Sequence, residues 1–167
     1  MSDSNDRGRD EAGYALEIVR VFDAPRDLVY QAWTDPERMA QWAAPHGYTI
    51  THNEGEIRPG GAWRSCMRSP EGEDLWLGGV YRDVVENELL VFTHAWDDAE
   101  GKPGRETLVT VTFEDEEGGT RMTFRQSGFE SAADRDGHRG GWSECFERLA
   151  DVLSRKAHIA GSIHERA

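Results

Sequence analysis

FDAPRDLVYQAWTDPERMAQW, from Phe22 to Trp42, is the stretch on which the reading of this chain turns. Pro25 suits a first helical position, because its φ is already close to helical and its missing N–H would be unpaired there anyway. Leu28, Val29, Ala32 and Trp33 then share one face at helical spacing. Thr34-Asp35-Pro36 stops this helix and starts a second short one that carries Met39 and Trp42. Trp42 is expected to close one end of whatever space the helices cover. Two short helices in tandem, placed directly after a strand, set the frame for everything else.

That strand is YALEIVRVF, Tyr14 to Phe22, where apolar residues fall near every second position with an imperfect period, and it ends at Asp23-Ala24-Pro25. Residues 1–13 are polar, charged and Gly-containing and cannot offset the entropy of ordering, so they are expected to form a disordered acidic tail. Downstream, β-type runs are separated by turn chemistry: 48–57, 62–68, 75–85, 89–96, 106–114 and 120–127. Hairpin-length connections predict an antiparallel meander. After Ser127 the two-residue period disappears into a segment rich in Asp, Arg and Gly. From Gly141-Trp142 a helical stripe takes over: Trp142, Cys145 or Phe146, Leu149, and Val152 or Leu153. Glu144, Glu147, Arg148 and Asp151 fill the opposite face. Gly141 is expected to let this helix approach the sheet closely. Past Lys156 the stripe fades, which predicts a single domain over 14–157 and a frayed tail over 158–167.

A chain of 167 residues is one domain's worth. Folding at this size removes roughly 70% of the unfolded surface from water, so neither a disulfide nor a metal is needed for stability. Acidic residues outnumber basic ones 32 to 19, and a net charge of −13 repels phosphate backbones and anionic membrane surfaces. Nucleic acid and membrane are thereby disfavoured as partners. Cys66 and Cys145 stand far apart with no CxxC spacing, which fits a reducing compartment. There is no secretory n-region or h-region, and no run of about 18 apolar residues. A cytoplasmic protein is expected.

Five strings sharpen the picture. Besides the opening one they are GEIRPGGAWRSCMRSPEG (55–72), GGVYRDVVENELLVFTHAW (78–96), TVTFEDEEGGTRMTF (110–124) and GWSECFERLADVL (141–153). Together, from Val21 to about Leu153, they resemble the activator of Hsp90 ATPase homologue 1-like (AHSA1-like) branch of the START-like, Bet v 1-like (SRPBCC) superfamily. The resemblance implies an α+β helix-grip fold, with a curved antiparallel sheet wrapped around a long C-terminal helix and two short helices after the first strand. It further implies a small hydrophobic ligand held between sheet and helix. Two other roles remain open: a chaperone-linked stress-response interaction, and a cyclase- or dehydratase-type enzyme with a pocket acid or base. The domain that resembles the activators is their C-terminal one, and no chaperone-binding domain is expected ahead of it.

Strand alternation then nominates the lining of a pocket. Trp63, Ser65 and Met67 share a face, as do Phe92, His94 and Trp96, then Thr107, Val109, Val111 and Phe113, and finally Met122, Phe124 and Gln126. The expected ligand-binding residues are Trp42, Trp63, Met67, Trp76, His94, Trp96, Phe124, Gln126, Phe129, Trp142, Cys145 and Phe146. His94 and Gln126 are the polar anchors, since an inward amide needs partners that a ligand or trapped water would supply. For any single aromatic, plain core is the ordinary fate of a large apolar side chain; it is their number around one helix that points to a cavity. Should there be catalysis, His94, Glu54 and Tyr81 are the candidate acid–base groups.

No cofactor is implied, because no phosphate-binding or dinucleotide motif occurs. The His residues show no zinc spacing. Asp134-Arg135-Asp136-Gly137 resembles a calcium loop only faintly, having Gly at the wrong position and Cys145 where a bidentate Glu belongs. Cys145 is expected to be buried and inert, whereas Cys66 is placed on an outward face as the one thiol that could react. Apolar strand edges leave monomer and homodimer both open.

Overall fold

The computed structural model describes residues 9–10 and 13–166, with side-chain surroundings for 14–155. In chain order the elements are β1 (Arg9–Asp10), β2 (Gly13–Phe22), α1 (Arg26–Thr34), α2 (Pro36–Met39), β3 (Thr49–Gly55), β4 (Ala62–Arg68), β5 (Asp74–Val85), β6 (Leu89–Trp96), β7 (Thr107–Glu116), β8 (Gly119–Phe129) and α3 (Ala132–Arg166). The strands form one antiparallel sheet in the order β1-β2-β8-β7-β6-β5-β4-β3. Consecutive strands from β3 to β8 are neighbours, as the meander predicts. The exception is β2, which pairs with the last strand, so α1 and α2 must carry the chain from one side of the sheet to its far edge. This is the α+β helix-grip architecture.

Local chemistry explains the elements. Pro25 is the extended residue that caps α1, its carbonyl accepting from the Leu28 and Val29 amides, while Pro36 is the first residue of α2 and Asp35 caps that helix through the Glu37 amide. The imperfect period of β2 is a register shift between Tyr14 and Ala15, after which Leu16, Ile18 and Phe22 face the core and Val19 and Val21 face out. At Gly79 a Cβ would lie 1.9 Å from the Thr93 carbonyl oxygen, so the crossing of β5 over β6 requires glycine. Glu117 (φ 46°) and Gly118 (φ 87°) make the left-handed pair on which the β7–β8 hairpin turns.

Three expectations change. Of the stretch 1–13, Arg9–Asp10 form a short strand paired with Gly13 and Tyr14; residues 1–8, 11 and 12 lie outside the described residues. The last helix begins at Ala132, ten residues before Trp142, and its backbone runs through to Arg166. Ser131 caps it, accepting from the Asp134 amide at 3.1 Å, so Asp134–Gly137 is a helical turn and not a loop. Cys66 is buried at 1% exposure, so it is not an accessible thiol; it sits opposite Trp76, which helps to cover the outer face of β4.

The core lies between the sheet and the helices. At its centre Trp33 of α1 meets Trp42 edge-on at 4.7 Å and stacks near Phe124 and Trp142 at 6.2 and 6.0 Å. Phe146, Leu149, Val152 and Leu153 of α3 close the far side. The inward sets expected on β7 and β8 are buried as predicted, from Thr107 to Phe113 and from Met122 to Gln126.

Candidate functional site

Along the first half of α3, the residues that border the space between helix and sheet are Ala133 and Gly137 at its solvent-exposed end and Gly141 and Cys145 further in, spaced four apart and therefore on one stripe. None of them has a side chain large enough to reach across. A Cβ at Gly137 would meet nothing within 4 Å, and one at Gly141 would touch only Pro45 Cγ at 3.7 Å. The helix therefore stands off the sheet here. Between the two lies a hollow of about 380 Å³, walled on the sheet side by Met67, Leu75, Leu77, His94 and Trp96 and on the helix side by the small stripe with His138 and Trp142. Gly141 thus makes space instead of a close helix–sheet contact.

The loop after α2 roofs this space with Ala43, Pro45 and Tyr48. Its backbone is held by one guanidinium, since Arg148 donates to the carbonyls of Ala44 at 2.6 Å, Pro45 at 3.3 Å and Gln41 at 3.3 Å. Glu144 accepts from the His46 amide and Glu147 pairs with the His46 ring, both at 3.0 Å.

Two smaller hollows adjoin. One of about 50 Å³ lies towards α1 and is bordered by Trp33, Trp63, Met67, Tyr81, Glu54, His94 and Trp142 among others. The other, about 210 Å³, opens past Trp96 and His138 towards Asp97, Asp98, Arg105, Thr107 and Phe129. His94 borders all three. It is 4% exposed and ringed by Trp63, Trp96, Trp142 and His138, with centroids 5.6–6.3 Å away. Burial, reinforced by the neighbouring His138, pushes its pKa down to about 3, so the ring is neutral at physiological pH.

The polar residues around it are already engaged. Trp142 Nε1 donates to Gln126 Oε1 at 2.8 Å, Gln126 Nε2 donates to Thr107 Oγ1 at 2.8 Å, and Thr107 Oγ1 donates to the His94 carbonyl at 3.0 Å. Gln126 is therefore not a ligand anchor: its amide ties α3 to the sheet and sets the Trp142 indole. On the other side Trp96 Nε1 donates to His138 Nε2 at 3.0 Å, which assigns the ring proton to Nδ1, 2.8 Å from the Asp134 carbonyl.

Of the aromatics nominated from sequence, Trp96, Trp142 and His94 border the main hollow together with Met67 and Cys145; Trp63 borders the smallest and Phe129 the third. Trp42, Phe124 and Phe146 are at most 1% exposed and fill the core without bordering any of the three hollows. Trp76 is a correction. Leu75 and Leu77 take the inward positions of β5, so the residue between them points outward, where the Arg64 guanidinium lies 5.0 Å over its ring and His52 is 5.5 Å away. The residues that sequence reasoning missed are Ala133, Gly137 and His138. The Ser131 cap and the four-residue spacing of small side chains were the signals available.

The three candidate acid–base groups do meet at the smallest hollow. Their states differ from what proton exchange near neutral pH asks for. Burial pushes Tyr81 up to about 12 and His94 down to about 3, while Glu54 is solvent-exposed and paired with His52 at 2.7 Å. Cys145, also pushed up to about 12 by burial, stays a thiol as expected.

The depressed His94 value has a consequence for stability. The unfolded imidazole titrates near 6.5, so this contribution is complete above that pH and falls as pH drops from about 6.5 towards 3, by about 1.4 kcal/mol per unit. Denaturant titrations should show a loss of about 2 kcal/mol between pH 6.5 and 5 that is missing in His94→Phe. Parallel curves for the two proteins would refute a buried neutral imidazole.

Among the described residues no helix is long and apolar enough to cross a membrane. None of the curated proteins matches the chain. Solved structures do. A protein from Chromobacterium violaceum is 27% identical with a TM-score of 0.77, covering 83% of this chain and 96% of its own. One from Arthrobacter aurescens is 28% identical with a TM-score of 0.77, covering 84% and 86%. The AHSA1 protein from Silicibacter pomeroyi shares the fold at 23% identity, with a TM-score of 0.78 over 85% of this chain and 99% of its own. The model of the family described as activator of Hsp90 ATPase homolog 1-like protein matches residues 23–154, from the end of β2 to the last buried turn of α3, and the chain belongs to that family.

Proposed function

We propose that the protein binds a small hydrophobic molecule in the hollow between the sheet and α3. The observation that carries this reading is the stripe of small residues at Ala133, Gly137, Gly141 and Cys145, which keeps about 380 Å³ unfilled beside an otherwise closely packed aromatic core. Glycine in a helix interior costs about 1 kcal/mol relative to alanine, so two of them on the cavity side weaken the helix for no gain in packing. A ligand site is the return that accounts for both. The volume falls at the lower end of small-molecule pockets and suits a one- or two-ring compound. Two free, buried thiols agree with a cytoplasmic setting.

Titration with the uncharged fluorophore N-phenyl-1-naphthylamine tests it. A ligand at a hundred times its Kd adds about 2.7 kcal/mol, which raises Tm by about 5–10 °C in a chain of this size. Emission of the bordering Trp96 and Trp142 should change in parallel. No shift at millimolar concentrations of this probe or of a panel of similar apolar compounds would overturn the reading.

A further inference from the structure

We propose that the hollow selects uncharged amphiphiles: a flat one- or two-ring body lying along the glycine face of α3, headed by one hydroxyl or carbonyl group that hydrogen-bonds the His94 imidazole. This rests on the ligand-binding reading above and adds the head-group chemistry to it.

Shape comes first. From Ala133 to Cys145 the small stripe extends about 18 Å at 1.5 Å per residue, a shallow floor for a ring system. Leu75, Leu77 and Met67 form the opposite wall, with the Trp96 and Trp142 indoles at the flanks. The polar end follows from what remains unengaged. Both indole N–H groups are spent, on His138 and Gln126. His94 is the buried polar side chain on this wall, and apart from its own backbone the imidazole has no hydrogen-bond partner among the described residues. Among the described residues no sealed polar side-chain atom lacks a partner, so the remaining ring nitrogen keeps some accessible surface, on a residue that borders the main hollow. A neutral imidazole serves as donor or acceptor according to tautomer, matching either a carbonyl or a hydroxyl.

Charge decides the rest. Among the described residues no Arg or Lys lines the main hollow, and the carboxylate at its rim is the exposed Asp134. In the adjoining space Asp97 is already paired with Arg64, and Arg105 donates to the Gly128 carbonyl at 2.6 Å. An anionic head would lose its hydration with no cation to replace it. Pairing with His94 would require a proton that the ring holds only far below neutral pH. An ammonium head would be desolvated beside a neutral ring in the same way, with Asp134 out at the solvent edge.

Calorimetry at pH 7 with 2-naphthol, 2-naphthoate and 2-(aminomethyl)naphthalene tests the assignment on one ring system. 2-Naphthol is expected to bind the full chain at least about tenfold more tightly than either charged compound, since an unpaired buried charge costs more than a neutral hydrogen bond returns. In His94→Phe, which keeps a ring in place, its affinity should fall about fivefold. Naphthoate or the amine binding as tightly as 2-naphthol would overturn the head-group assignment and leave the cavity reading standing. Unchanged 2-naphthol affinity in a folded His94→Phe would overturn the role of His94. If all three fail to bind the parent chain, the cavity reading falls together with this one. The parent series is decisive by itself should the variant not fold.

Discussion

A chain carrying Gly137→Leu together with Gly141→Leu is expected to melt about 4–8 °C higher than its parent, from about 2 kcal/mol of recovered helix propensity, and to lose its response to apolar ligands. Neither glycine has a left-handed φ, so leucine meets no backbone strain. Neither Cβ would collide: Gly137 has nothing within 4 Å and Gly141 only Pro45 Cγ at 3.7 Å. The added side chains extend into the hollow, where they exchange water-accessible space for contact with Leu75, Leu77 and Trp142. Stability gained at the expense of binding is the signature expected of a site kept open by selection. Gly140→Ala is the control, because Gly140 is exposed and does not border the hollow; it should raise Tm slightly and leave binding intact. A double variant that still shifts on addition of N-phenyl-1-naphthylamine would place the ligand elsewhere.

Trp33→Ala should lose about 3–5 kcal/mol, a large share of the 5–15 kcal/mol typical of a domain, and leave much of the chain unfolded at modest urea concentration. Trp33 is 1% exposed and touches aromatic rings on every side: Trp42, Phe92, Phe124, Trp142 and Phe146. Its indole N–H also reaches Met122 Sδ at 3.3 Å. These partners come from the loop after α2, two strands of the sheet (β6 and β8) and α3, so no single element can move to fill the space left by the ring. Equilibrium urea unfolding followed by circular dichroism measures the loss directly, and Trp33→Phe, which keeps a ring, should cost much less. A drop below about 1 kcal/mol in Trp33→Ala would mean that the aromatic cluster does not hold the layers together.

The strands were legible because alternation is local: Thr107 to Phe113 and Met122 to Gln126 carry their facing in a two-residue period that needs no knowledge of the rest of the chain. The Pro-started pair α1 and α2 was legible for the same reason, its breaks written in Pro25, Asp35 and Pro36. The first ten residues of α3 were not, although Ser131 supplies a cap. A helix is recognised by the apolar stripe it buries, and this stretch faces a hollow with Ala133, Gly137 and Gly141, so it leaves no stripe to see.

What tertiary structure alone decided is which large side chains border open space and which fill it. Trp42, Trp76 and Trp96 look alike in sequence, yet one is sealed in the core, one lies under Arg64 on the outer face, and one flanks the hollow. Gln126 reads as an amide in want of a ligand until Trp142 and Thr107, 16 and 19 positions away, are found to satisfy it. Sequence by itself determined the order of elements and the facing of most strands, because those follow from periods and breakers within a few residues. A cavity is the volume left over when every layer has been packed against every other, and that remainder exists only once the sheet has closed around the helix.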